Sequence, residues 1–394
     1  MSDSSRFLCQ RVKDIPPSGI RKFFDLVAGT PGVISLGVGE PDFVTPWHVR
    51  EACNHSLSQG YTMYTSNKGL PELRNELRKF INKEYSLDYC PENQILITVG
   101  ASEGVDLAVR AITNPGDEIL VCEPSYVSYK PCVTLAGGTP VPIQTEEKYA
   151  FKLQPHQLRG AITPRTKAII FCYPNNPTGG IMDKQDLEAI TDIIIENDLL
   201  VISDEIYSKL TYGKLHVSIA TLPGMKERTI VLNGFSKAQA MTGWRIGYAF
   251  GPEPLIGAMV KIHQYTMLCA PIMGQKAAIE SLKNGKEHIN QMYHEYDKRR
   301  RLVYNSFKDM GLDTFEPEGA FYIFPNITKT GLTSEEFAEK LLGEEQVAVV
   351  PGTAFGLGGE GHIRCSYASS VANLVEAMKR IERFVQKRIN GDSI

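Results

Sequence analysis

Long hydrophobic runs are missing from this chain. The longest apolar stretches, such as Ile193 to Ile195 and Leu199 to Ile202, are short and interrupted by charge. None approaches the ~20 residues that a membrane-spanning helix needs. The opening MSDSSRFLCQRVKDIPPSG lacks the apolar segment of a secretory signal. The two glycosylation sequons, at Asn54 and Asn326, therefore carry no weight. An excess of either charge is also lacking. The 42 Lys+Arg oppose 45 Asp+Glu, leaving a net charge of −3 and no chain-wide attraction to nucleic acid or an anionic membrane. No C-x-x-C pair occurs among the eight cysteines at positions 9, 53, 90, 122, 132, 172, 269 and 365. That spacing argues against a zinc ribbon, a thioredoxin-like motif or a disulfide framework, and fits reduced thiols in the cytoplasm. Walker A spacing, H-E-x-x-H, internal repeats and low-complexity tracts are absent too. A cytoplasmic protein is expected, with no metal, nucleic-acid or membrane partner.

What is present is an alternation. At 394 residues the chain has room for two or three domains. Its middle alternates β-rich runs with helical patterns: ILITV (95–99), EILVC (118–122), KAIIFC (167–172), LLVIS (199–203), TIVLN (229–233) and IGYAF (246–250). Between the first two runs, Val105, Ala108, Val109 and Ile112 repeat at helical spacing. Asn114-Pro115-Gly116-Asp117 then stops that helix. Strands apolar on both faces and separated by helices predict a mostly parallel sheet covered on both sides. After about residue 285 a long polar helix is followed by the short strands GAFYIF, QVAVVP and HIRCSYA and a closing helix, VANLVEAMKRIERFVQKRI. These predict a smaller α+β unit.

One motif is a decoy. Gly356, Gly358 and Gly361 satisfy G-x-G-x-x-G after an apolar run, with Glu376 farther on, as in a dinucleotide site. The third glycine leads into the strand-like HIRCSYA, where pyrophosphate binding needs a helix start. A plain glycine-rich loop is the better reading.

Four other segments place polar residues where strands end. Gly100-Ala101-Ser102 opens a helix, as an anion cradle or an ordinary N-cap. Tyr173-Pro174-Asn175-Asn176-Pro177-Thr178-Gly179 is either a turn or a rigid loop aiming Asn176 away from its strand. Asp204, Glu205 and Tyr207 follow a buried strand, where Asp204 either caps a helix or meets a cation or a protonated ring nitrogen. Lys237 and Arg245 lie between the next two strands, and burial of Lys237 would depress its pKa below ~10.4 and favour imine chemistry. An open α/β sheet binds ligand at such strand ends. An anion site, an acid for a ring nitrogen, donors for a ring oxygen and an imine-forming lysine together fit pyridoxal phosphate.

SLGVGEPDF (35–43), YTSNKGLPELR (64–74), GASEG (100–104), PGDEILVCEPSYVSY (115–129), YPNNPTGG (173–180), SDEIYSKLTY (203–212), SKAQAMTGWRIGY (236–248), PEGAFYIF (317–324) and HIRCSYA (362–368) occur in this order. In these the chain resembles the class I/II aminotransferases of fold type I over nearly its whole length. Its similarity is to bacterial members acting on aromatic amino acids, aspartate, alanine or N-acetyl-diaminopimelate. The resemblance implies a large domain over 46–284 with a seven-stranded sheet, and a small domain of 1–45 and 285–394. It also implies pyridoxal phosphate and a homodimer with shared active sites.

By resemblance, Lys237 holds the cofactor as an imine and later shuttles the proton, and Asp204 stands beside the pyridine nitrogen. Tyr207 and Asn176 donate to the ring hydroxyl oxygen, and Tyr126 stacks on the ring. Ala101, Ser102, Ser236 and Arg245 hold the phosphate, joined by Tyr64 from a partner subunit. Arg364 and Gly39 bind the substrate α-carboxylate, with Asn176 beside them. Gly234 departs from the serine many members carry, which removes one phosphate donor. The expected reaction is ping-pong exchange of an amino group between an L-amino acid and a 2-oxo acid. A C–S β-lyase shares Lys237, Asp204 and Arg364 and stands as the alternative. A catalytically dead binding protein and, from the glycine decoy, a nicotinamide dehydrogenase are more distant readings.

Overall fold

In the computed structural model the described residues are 4–17, 19 and 32–390. Residues 18 and 20–31 of the expected small domain, with 1–3 and 391–394, lie outside them. Seven strands form one sheet: β1 (Ile95–Thr98), β2 (Glu118–Glu123), β3 (Thr139–Gln144), β4 (Thr166–Cys172), β5 (Leu200–Asp204), β6 (Thr229–Gly234) and β7 (Gly247–Phe250). Their order is β1-β7-β6-β5-β4-β2-β3. β7 runs antiparallel to both neighbours and the other pairings are parallel. This is the expected mostly parallel, seven-stranded α/β sheet.

Alternate side chains of each strand point to opposite faces. Ile119, Val121 and Ile170 pack with Val105, Ala108 and Val109 of the Gly100–Ile112 helix. Leu120, Ile169 and Phe171 pack instead with Leu187, Ile190 and Ile194 of the Lys184–Glu196 helix. Each fully buried side chain of this size contributes about 1.5–3 kcal/mol, so burial rather than helix propensity holds the layers. β3, TPVPIQ, is the one strand without an apolar run in the sequence. Pro140 and Pro142 fit because β3 is an edge strand paired only with β2, so their missing N–H groups face away from the ladder.

Beyond residue 285, Met292, Tyr296, Val303 and Phe307 form the apolar stripe of the Lys286–Asp309 helix. It packs with the Ser334–Glu345 and Val371–Ile389 helices around Phe337, Leu341, Leu374 and Phe384. Three short antiparallel strands, β8 (Tyr322–Ile323), β9 (Val350–Pro351) and β10 (Ile363–Ser366), lie alongside with β10 central. Ile34–Ser35 pairs in parallel with Val347–Ala348, which joins an early segment to this unit. Among the described residues no helix is long and apolar enough to cross a membrane.

The topology gathers the polar residues at one edge. An antiparallel strand begins where its parallel neighbours end, so Gly247 of β7 pairs with Thr98 and Gly234. Arg245, just ahead of it, reaches the edge where β5 delivers Asp204. Gly247 makes the crossing possible, because a Cβ there would stand 2.5 Å from the backbone nitrogen of Ala101. Gly247→Ala should therefore destabilise the protein by about 1–3 kcal/mol through overpacking. Urea unfolding checks this, and an unchanged midpoint would contradict the tight crossing.

Candidate active site

A cavity of about 880 Å³ opens at the strand ends. On one side β1 turns straight into the Gly100–Ile112 helix, with Gly100 at a left-handed φ of +76°. The N-cap position is Val99, without a side-chain cap, so the N-cap reading of Ser102 does not hold. Ala101 and Ser102 instead line the cavity in the first turn, where helix N–H groups lack intrahelical partners. Arg245 stands over this turn. A Cβ on Gly100 would collide with its guanidinium, and Arg245 Nη1 donates to Thr242 O at 2.9 Å. A guanidinium above a helix N-terminus makes a candidate anion site.

Asp204 and Lys237 both line the cavity. Asp204, the last residue of β5, is buried. Tyr129 Oη donates to its Oδ2 at 2.8 Å, and Ile206 N–H donates to Oδ1 at 3.1 Å. Burial pushes the carboxyl up from its ordinary 3.8 to about 6, against the opposing pull of these two donors. The next residue, Glu205, leaves the site and accepts from Ser203 and Ser218 hydroxyls. Lys237 Nζ donates to Gly39 O at 2.6 Å. Burial lowers its amine from 10.5 to about 8. Glu40 and Asp204 oppose that shift, while Arg364 and Arg245 add to it.

Tyr207 and Tyr322 share a hydroxyl–hydroxyl hydrogen bond of 2.9 Å. Tyr126 lines the cavity and meets the Tyr129 ring edge-on at 5.6 Å. The Tyr173–Gly179 segment proves to be both of its readings at once. Asn175 makes the turn, accepting from Thr178 N–H at 3.0 Å, while Asn176 faces the cavity. Asn176 Oδ1 accepts from Arg364 Nη1 at 2.9 Å, which leaves its amide nitrogen to donate elsewhere. Arg364 is only 2% exposed, its second nitrogen donates to Gly37 O, and its Nε is buried without a protein partner. Such a group calls for a hydrogen-bond acceptor in the cavity.

Ser236 and Gly39 also line the cavity, whereas Tyr64 stands apart. Its side chain is 79% exposed, so it is not a tyrosine packed in the core of its own subunit. Gly234 is closely packed. A Cβ there would lie 3.1 Å from both Gly247 Cα and Ile246 O. The glycine decoy runs into β10, a strand, as its third glycine suggested.

Sequence reasoning missed Tyr129 and Tyr322. Tyr129 opens the Tyr129–Ala136 helix, and its N–H donates to Tyr126 O at 3.3 Å across the turn ahead of that helix, which brings the two tyrosines together. Tyr322 had no signal in the sequence. Only the pairing of β8 with β10, with Tyr322 opposite Ser366, brings it beside Arg364.

The assembled residues fit pyridoxal phosphate. The candidate anion site would suit a phosphate, Lys237 lies within the same cavity as an amine whose burial favours its neutral form, and Asp204 offers a buried carboxylate that a cation would stabilise. A model of the family described as Aminotransferase class I and II matches residues 31–381. The protein YugH of Bacillus subtilis (strain 168) is 53% identical over 381 residues, covering 97% of this chain and 99% of that protein. An aspartate aminotransferase of Pyrococcus abyssi (strain GE5 / Orsay) is 46% identical, covering 97% of this chain and 99% of its own length. The crystal structure of an aromatic aminotransferase from Pyrococcus horikoshii OT3 superposes with a TM-score of 0.89 at 44% identity, over 94% of this chain and 99% of that one. Neither the aspartate nor the aromatic aminotransferase among these relatives favours the β-lyase alternative. With the fold, the site and these likenesses in agreement, the chain belongs to the class I and II aminotransferases, which work with pyridoxal phosphate.

Proposed function

We propose that this aminotransferase passes the amino group of an L-amino acid to a 2-oxo acid in two half-reactions at one site, with Lys237 as the amine that takes and releases the cofactor. One observation carries this reading. Lys237 and Asp204, both driven toward their neutral forms by burial, line one cavity between an anion site and a buried arginine. Pyridoxal phosphate bound there supplies an aldehyde that condenses with amines and a ring that takes up the electron pair left when a Cα–H bond breaks.

In this reading Ala101, Ser102, Ser236 and Arg245 bind the phosphate, and Tyr126 covers the ring. Tyr207 and the amide nitrogen of Asn176 donate to the ring hydroxyl oxygen. Asp204, as a carboxylate, holds a proton on the ring nitrogen, an interaction strengthened by the dry surroundings. Arg364 grips the substrate α-carboxylate in a two-pronged fashion, with a backbone N–H from Gly39. Lys237, freed from the cofactor, moves the proton at the substrate Cα. A value near 8 leaves part of its population neutral at physiological pH. Aspartate and aromatic relatives support an L-amino-acid donor of either kind.

The reading includes a homodimer in which the partner subunit's Tyr64 reaches the phosphate. Exposed apolar residues support it: Tyr61, Met63, Tyr64, Tyr265, Met267 and Leu268 stand on the surface. Asn67 Nδ2 donates to Leu268 O at 2.7 Å, so the two stretches adjoin. A patch of this kind marks a protein contact. A division into 46–284 and 1–45 with 285–394 is supported by the apolar cluster around Phe337 and Phe384, most of whose members lie beyond residue 285 and which reaches Tyr207, Leu210, Tyr212 and Ala240 of the larger part. Eight free cysteines support a cytoplasmic setting.

Two tests follow from these assignments. Tyr129→Phe removes a donor that favours ionised Asp204, so the carboxyl should hold its proton to higher pH. The acid limb of the kcat/KM profile should then move upward, by about one pH unit for a hydrogen bond of about 1.4 kcal/mol. A limb that stays or moves down would contradict the proposed tuning. For shared sites, a Tyr64→Phe chain mixed with a Lys237→Ala chain should complement. One site of the mixed dimer carries both lesions and the other neither, so activity should exceed that of the separate homodimers. No recovery after verified subunit exchange would contradict the crossing.

A further inference from the structure

The glycine-rich loop that mimics a dinucleotide motif has no part in the reading above, yet it touches the site from behind. It follows β9, whose Val350 pairs with Arg364 of β10. Phe355, at the end of its Gly352–Phe355 turn, is buried, and the Arg364 guanidinium carbon lies 4.8 Å from its ring centroid. The same carbon lies 4.5 Å from the Tyr322 ring. Two aromatic rings and two hydrogen bonds therefore hold the head of one buried arginine. A cation against an aromatic ring is worth about 0.5–1 kcal/mol when exposed and about 2 or more when desolvated.

The loop is also fastened to the opposite wall. Phe355 O accepts from Ser125 N–H at 3.0 Å, one residue before Tyr126. Gly356 lies at φ +121°, a conformation open essentially to glycine alone, and a Cβ there would collide with the buried carboxylate of Glu123 at the end of β2. Gly352 and Gly359 approach so closely that a Cβ on either would strike the other's backbone oxygen. These glycines bring Phe355 down between Arg364 and the Glu123–Tyr126 segment.

We propose that Phe355 is a positioning residue for the substrate. Its ring holds Arg364, while its carbonyl ties the loop to the segment that carries Tyr126, so one short loop sets the substrate carboxylate relative to the aromatic wall of the cofactor site. The proposal rests on the reading in which Arg364 takes the α-carboxylate. It concerns substrate binding, not the chemical step.

The test compares Phe355→Leu, Phe355→Met and Arg364→Lys in the cofactor-loaded enzyme. With the ring removed, KM for every amino donor, and the dissociation constant of a monocarboxylate competitive inhibitor, should rise about tenfold. The kcat should stay within about threefold, and cofactor affinity, read from absorbance, within about twofold, because neither depends on the ring–cation contact. Phe355→Met keeps most of the volume and serves if Phe355→Leu lowers the unfolding midpoint. Unchanged KM and inhibitor affinity in both Phe355 variants would overturn the proposal. So would a loss carried by kcat or by cofactor affinity. Arg364→Lys separates the two ideas. If it leaves every donor unaffected, the reading of Arg364 fails. If it weakens all donors while the Phe355 variants do not, only the positioning role fails.

Discussion

The site depends on a carboxylate held out of water. Asp204 ends a strand buried on both faces, where taking a charge out of solvent costs several kcal/mol unless partners compensate. Tyr129 and the Ile206 N–H supply two hydrogen bonds, and these do not restore the ordinary acidity. The same dryness lowers Lys237, so one condition prepares an amine that can be neutral and a carboxylate that favours a cationic partner. The remaining parts of the site serve this pair. β7 brings Arg245 to the edge by running against its neighbours, and glycines 100 and 247 let it pass the helix start. A phosphate anchored there would lie in the same cavity as both titratable groups.

Much of this was legible in the sequence, for identifiable reasons. Strands buried on both faces announce themselves as short apolar runs, so six strands of the large sheet and the helix carrying Val105, Ala108, Val109 and Ile112 could be read directly. The placement of Gly100, Asn176, Asp204, Lys237 and Arg245 after or between those runs pointed to one edge of the sheet. β3 was not legible because its prolines hide a strand unless its edge position is known. Tyr129 and Tyr322 were not legible as site residues because their roles come from pairing across the fold. A tyrosine in an apolar strand and a tyrosine opening a helix look like core in one dimension. Ser102 shows the opposite error of local reasoning, since a serine near a helix start suggests a cap and here lies within the first turn.

The glycines divide into two kinds that a motif search does not separate. Gly100 is needed for a left-handed turn that presents backbone N–H groups, with Arg245 pressed against it. Gly352, Gly356 and Gly359 are needed because loop, strand end and Glu123 approach too closely for a side chain. Gly234 lies between these kinds, since a Cβ there would stand 3.1 Å from Gly247 Cα, a tight approach that a shift of a few tenths of an ångström relieves. Of the glycines that form the G-x-G-x-x-G spacing, Gly356 is required by its approach to Glu123 and Gly361 by a left-handed φ of +79°, while a Cβ on Gly358 would meet only the end of the Gln144 side chain.

The central claim is that Lys237 is the amine that takes the cofactor, and peptide mapping tests it most directly. The protein loaded with pyridoxal phosphate is reduced with borohydride, digested and analysed by mass spectrometry. The account predicts a single phosphopyridoxyl adduct on Lys237, lost in Lys237→Ala. A stoichiometric adduct on another lysine, or no adduct at all in a protein that binds the cofactor, would contradict it.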